Sequence, residues 1–224
     1  MNKLIKISTI ACLLSMVMLT ANSCKKDDEP KYAEAKEATA DGAIINGVKW
    51  AGCNVDAPGT FAAKPEDAGM LYQWNSKIGW SATDPLIATD GSTVWKETTA
   101  SADLWEPEND PSPEGWRIPT KDELGTLFDK DKVRMEWATV NGVNGIKIID
   151  NTTANSIFLP ATNARNNPDG VLDGQGLDGL YWSNAFDYDA YYGTGASCLY
   201  ISNFMVYVGF SKRTCAMSVR CVAK

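Results

Sequence analysis

Short apolar or alternating runs, separated by turn signals, set the pattern of most of this chain. Ala43-Ile44-Ile45 and Val48-Lys49-Trp50 flank Asn46-Gly47 and predict a hairpin, because Asn-Gly supplies the positive φ values of a tight turn. Asp67 to Trp74 reads as a short aromatic strand. Residues 75–115 carry Pro, Gly and Trp with little periodicity, which predicts long ordered loops holding Trp80, Trp95 and Trp105. Pro119 keeps Ile118 out of the helical region. Thr120 then caps a helix of about ten residues, with Glu123 completing a capping box and Leu124, Leu127 and Phe128 forming one apolar stripe. Val133–Val140 and Gly145–Ile149 read as strands joined through Asn141-Gly142, and Asn155 to Pro160 as the start of a buried strand. A Gly-rich loop, Asp169 to Gly179, leads into Leu180-Tyr181-Trp182-Ser183. The end reads as a meander over Ser197–Ile201, Phe204–Phe210 and Thr214–Val222. Phe204 to Val208 is apolar on both faces and is expected inside the sheet.

The amino terminus has a different pattern. Lys3 and Lys6 precede an apolar run, Ile7 to Leu19, of signal-peptide length and too short to span a bilayer. Leu19-Thr20-Ala21-Asn22-Ser23-Cys24 resembles the lipobox of bacterial lipoproteins, which implies cleavage after residue 23 and lipidation of Cys24. The acidic cluster that follows, Asp27-Asp28-Glu29, looks like the surface-export signal of Bacteroidetes lipoproteins. The expected location is therefore the outer membrane, exposed at the cell surface and held by a lipid anchor. Residues 24–42 have little to bury and read as the lipidated cysteine and a flexible charged tether, with transient helix over Tyr32 to Thr39. Residues 43–224 form the expected globular domain.

Composition narrows the chemistry. A net charge of −7 argues against a nucleic-acid partner, which needs a basic footprint. The chain has no histidine, so a Ser-His-Asp or Cys-His nucleophile system is excluded, as is His-ligated zinc. Adjacent carboxylates such as Asp187 and Asp189 do not face each other across a scissile bond as glycoside hydrolysis requires.

Four pieces stand in order: Asn46-Gly47-Val48-Lys49-Trp50, Gly115-Trp116-Arg117-Ile118-Pro119-Thr120, Tyr181-Trp182-Ser183 and Ser218-Val219-Arg220-Cys221-Val222. Together they resemble the Fibrobacter succinogenes major paralogous domain family, in its Bacteroidetes lipoprotein branch. The resemblance implies an α+β fold, C-type-lectin-like and distantly similar to the formylglycine-generating enzyme. Small antiparallel sheets, one or two short helices and long loops are expected, with the first and last strands together. It also implies a non-enzymatic recognition module for adhesion or glycan binding. A structural or accessory subunit of a surface appendage or uptake complex, bound to a cell-envelope protein, is the alternative, and oxidase-like chemistry a more distant one. Many members of that family carry a cysteine shortly before Gly-Trp-Arg. This chain has Asp110-Pro111-Ser112-Pro113 there, so the corresponding bond to Cys221 is lost.

Cys53, Cys198, Cys215 and Cys221 are disulfide candidates with three possible connectivities. Cys215 and Cys221 on one extended strand would lie about 20 Å apart, beyond disulfide reach. Adjoining chain ends favour Cys53 with Cys221. Asp169, Asp173 and Asp178, interleaved with glycines, form a candidate Ca²⁺ site. Tyr188, Tyr191 and Tyr192, with Trp80, Trp95 and Trp105, are candidate ligand-binding aromatics. Trp50, Trp116 and Trp182 are assigned to the core.

Overall fold

The computed structural model describes residues 32–97, 101–162, 164–166, 168–174, 176–189 and 193–224. The expected signal peptide and lipidated cysteine, Cys24, and also Tyr191 and Tyr192, lie outside these residues. Among the described residues the fold is built mostly of antiparallel sheets with a single short α-helix. In chain order the early strands are β1 (Lys36–Glu37), β2 (Ala43–Ile45), β3 (Val48–Trp50), β4 (Met70–Gln73), β5 (Gly79–Ser81) and β6 (Trp116–Arg117). Helix α1 (Lys121–Gly125) precedes β7 (Val133–Val140), β8 (Val143–Asp150), β9 (Asn155–Pro160), β10 (Ala164–Asn166) and β11 (Val171–Asp173). The chain closes with β12 (Asp178–Asp189), β13 (Gly193–Ser202), β14 (Val206–Ser211), β15 (Ala216–Met217) and β16 (Val222–Ala223).

These strands make four sheets, ordered β1-β9-β8-β7, β11-β10-β15-β4-β5, β12-β13-β14 and β2-β3-β16-β6. The β12-β13-β14 sheet divides the interior. Leu199 and Ile201 of β13 point into a first core with Ile45, Trp50, Leu124, Leu127, Ile148 and Leu159. Ala196 and Cys198, of opposite parity, point into a second core with Trp74, Trp182, Met217 and Cys221. A strand buried on both faces reads as a continuous apolar run, and Ala196-Ser197-Cys198-Leu199-Tyr200-Ile201 is nearly one.

Local signals set the local elements. Asn46 and Gly47 have φ of 46° and 82°, and the β2–β3 hairpin forms around them. Asn141 and Gly142, at 47° and 86°, turn β7 into β8 in the same way. The capping box is complete: Glu123 N–H donates to Thr120 Oγ1 at 3.2 Å, and Thr120 N–H donates to Glu123 Oε2 at 2.8 Å. The helix is shorter than the expected ten residues. It tightens into a 3₁₀ turn over Thr126–Phe128, which still buries Leu124 and Leu127.

Two expectations are corrected. The stretch read as a tether docks before Ala43: β1 pairs in parallel with β9, Lys36 N–H donates to Ala154 O, and Arg134 donates to Ala33 O. Main-chain pairing and polar side-chain contacts from Arg134, Lys147 and Ser156 carry this strap, so no apolar pattern announces it, and Tyr32–Thr39 forms no helix among the described residues. Phe204 to Val208 is not inside the sheet. β14 is an edge strand, with Phe204 88% exposed at the hairpin tip and Met205 and Tyr207 also exposed. Only Val206 and Val208 pack against the first core.

Candidate functional site

The Gly-Trp-Arg stretch forms β6, an edge strand of the sheet that joins the two ends of the described chain. Val222 pairs with Trp50 on one side and with Arg117 on the other, and Ala223 pairs with Trp116. Arg117 makes a two-pronged ion pair with Glu123, at 2.6 and 2.8 Å, which fixes β6 to the helix start. The Arg117 hydrogen bonds hold the Glu123 carboxyl below the usual carboxylate range.

Beside β6 opens a cleft of about 430 Å³, a size suited to a small ligand. Trp105, Pro107, Trp116 and Ile118 supply its apolar walls. Lys77, Asp110, Ser112, Arg117, Asn184 and Lys224 supply donors and acceptors at its rim. Each wall is braced. Trp105 N–H donates to Asn184 O at 2.9 Å, its indole Nε1 donates to Asn109 O at 2.9 Å, and its ring packs on Trp74 with centroids 5.7 Å apart. Asn184 N–H donates to Pro119 O, at the irregularity in the β12–β13 register between Trp182 and Phe186. Asn75 and Asn109 both donate to Glu106 Oε2, locking the turn that follows Trp105. Trp116 is half-buried, edge-on to Phe61 at 5.5 Å, with Lys49 Nζ 5.8 Å from its ring centroid. Behind the cleft, Cys221 Sγ donates to Ser112 Oγ at 3.1 Å. Burial pushes the Cys221 thiol up to about 12, so it stays protonated.

The expected site residues are dispersed. Trp105 lines the cleft. Trp80 is buried and stacks on Trp95 at 4.9 Å, while Trp95 lies so close over Gly170 that any side chain there would overlap its ring. Both therefore anchor the long loop. Tyr188 is 64% exposed on β12, away from the cleft lining. The Ca²⁺ site is not assembled: among the described residues no three acidic, His or Cys side chains could hold a metal. Asp173 accepts from Asn166, Asp178 accepts from the Tyr200 hydroxyl, and Asp169 is exposed. Strand pairing causes this separation, because Val171–Asp173 is drawn onto β10 while Asp178 begins β12. Cys53, Cys198, Cys215 and Cys221 stand as free thiols in the structure. The Cys53–Cys221 bond is not formed: Cys221 turns to Ser112, and Cys53 lies half-buried within the fields of Arg220, Asp67 and Glu66.

Sequence reasoning placed Trp116 in the core and passed over Lys77, Asn184 and Lys224. Trp116 does pack against the second core, but only half-buried, with its remaining surface lining the cleft. Comparison of the chain with protein-family models, curated proteins and solved structures finds no match.

Proposed function

We propose that this protein is a lipid-anchored cell-surface module that binds a glycan in the β6 cleft without turning it over. The observation that carries the reading is the cleft itself. Half-buried Trp116 gives a flat apolar wall, buried Trp105 backs it with a 7% exposed edge, and a mixed set of amide, hydroxyl, carboxylate and ammonium groups surrounds them. A sugar ring needs both, an apolar face to stack and hydroxyls to pair. Asp110 is the single carboxylate side chain among the lining residues, half the pair that glycoside hydrolysis uses.

The proposed family membership has its own support. The four sequence pieces converge: β2, β3, β6 and β16 form one sheet, and Tyr181 bridges to Ser218 beside it. Pairing of Trp50 with Val222 brings the early and late strands together, as a C-type-lectin-like domain would have them. Ser112 stands against Cys221, where a cysteine before Gly-Trp-Arg would be expected to bond. A glycan array probed with the chain and with Trp116→Ala tests the function. Binding by the first and loss in the second are expected; an array blank for both overturns it.

A second reading has one observation behind it. Among the described residues no strand pairs with the outer edge of β14, and Phe204, Met205 and Tyr207 are exposed along it. An open apolar edge suits assembly with a protein partner. Glycan binding abolished by Trp116→Ala but untouched by Phe204→Ser would reject this edge as the ligand site.

A further inference from the structure

Cys198, Cys215 and Cys221 all enter the second core, and Cys221 is held there by its hydrogen bond to Ser112, which leaves Cys198 and Cys215. Along β13 the side chains alternate, with Leu199 and Ile201 in the first core and Ala196 and Cys198 in the second. Around β15 the alternation is similar: Cys215 and Met217 enter that second core, while Ala216 between them enters a small third cluster. Cys198 is 2% exposed and Cys215 9%, and Cys215 lies near enough to add to the rise that burial gives the Cys198 thiol. The chain between them is built to return. β14 pairs with β13 as far as Ser211 opposite Ala196, and Cys215 N–H then donates to Lys212 O to close a turn. Arg213 Nε donates to Gly195 O at 3.0 Å, which draws this turn back against β13 three residues before Cys198. Of the remaining cysteines, Cys221 is engaged with Ser112, and Cys53 lies outside the buried clusters.

We propose that Cys198 and Cys215 become an intramolecular disulfide when the chain folds in an oxidising compartment, tying the β13–β14 hairpin to β15. Two S–H bonds break and one S–S bond forms. The two electrons and two protons pass to a disulfide donor, such as a thiol–disulfide oxidant of the cell envelope, which leaves as a dithiol. The bond forms before the core closes. Once packed, the Cys198 thiol is pushed up to about 12 by burial first and by the neighbouring Cys215 second, which leaves almost no thiolate to attack a disulfide. The same burial then shields the finished bond from exchange. Export matters here only for where the bond forms; the geometry is testable without it.

The test is oxidative refolding of the full chain in a reduced and oxidised glutathione mixture, followed by alkylation and peptide mapping. A peptide pair joining Cys198 to Cys215 is expected, with Cys53 and Cys221 recovered alkylated. Reductant should lower the Tm of this material by roughly 6–12 °C, as expected for closing a loop of this length in a domain of this size. Cys215→Ala should remove the response to reductant, and Cys53→Ala should keep it. Recovery of Cys198 and Cys215 alkylated, or joined to other cysteines, overturns the proposal, and the wild-type map needs no variant to fold. Mapping protein isolated from the envelope separates the two claims. A bond in refolded chain but not in envelope material upholds the geometry and contradicts the oxidising compartment.

Discussion

Ser112→Cys should weld the loop before Gly-Trp-Arg to the last strand. Ser112 Oγ and Cys221 Sγ are 3.1 Å apart, and Cys221 is fully buried. A disulfide needs about 2.05 Å between sulfurs, and the longer C–S bond of the substituted residue closes part of that gap. The bond would close a loop of about 110 residues, for which loss of unfolded-state entropy gives an upper value of about 4.7 kcal/mol, with 2–4 kcal/mol typical. For a domain of this size that is a rise in Tm of roughly 4–16 °C. The variant is refolded with oxidised glutathione, its mass is compared with that of the reduced form, and its melting is followed by calorimetry with and without reductant. The expected result is a mapped bond between positions 112 and 221, with a Tm above wild type that reductant abolishes. Free thiols at both positions after oxidative refolding would refute the juxtaposition of this loop with β16. A bond that forms but lowers Tm would show that the Ser112–Cys221 contact is not held at disulfide geometry.

Two further outcomes follow from the helix start. Glu123 has its folded pKa below its unfolded one, so its contribution is fully present above the ordinary Glu value near 4.3 and is lost as pH falls through the lowered folded value. The difference in Tm between wild type and Glu123→Gln should therefore be constant from neutral pH to about pH 5 and shrink below it; a difference that grows on acidification contradicts the Arg117–Glu123 assignment. Gly125 sits in helical geometry (φ −58°, ψ −31°), and a Cβ there meets nothing within 4 Å. Gly125→Ala should raise stability by about 0.5–1 kcal/mol in a denaturant titration, and a loss of stability would show that the end of the helix needs glycine for another reason.

What was legible in the sequence was local. Asn46-Gly47, Asn141-Gly142 and Thr120 with Glu123 carry their geometry within four residues, and each forms as expected. Apolar patterning also placed Leu124, Leu127, Ile157 and Leu159 in the interior. Position within a sheet was not legible. Phe204 to Val208 has the composition of a central strand, but nothing in the segment says whether another strand lies beyond it. The strap at Lys36–Glu37 is held by main-chain bonds to β9 and by polar contacts with Ser156 and Lys147 distant in sequence, none of which a local pattern reveals. The cleft was least legible of all. Trp105, Trp116, Asn184 and Lys224 come from the long loop, β6, the irregular part of β12 and the residue after β16, and only the pairing of β16 with β6 and the stitching of Trp105 to Asn184 bring them together. The aspartates of the Gly-rich loop show the reverse: close in sequence, they are parted by the strands they join.

The most direct test of the account is an indole-resolved NMR titration of the chain with soluble neutral oligosaccharides. Trp105 and Trp116 line the cleft, while Trp50 and Trp182 are fully buried. The account predicts saturable shifts of the Trp105 and Trp116 indole resonances, with those of Trp50 and Trp182 unmoved and the Trp105 shift lost in Trp116→Ala. Oligosaccharides that bind the chain while leaving both cleft indoles in place, or no shift with any of them, would contradict it.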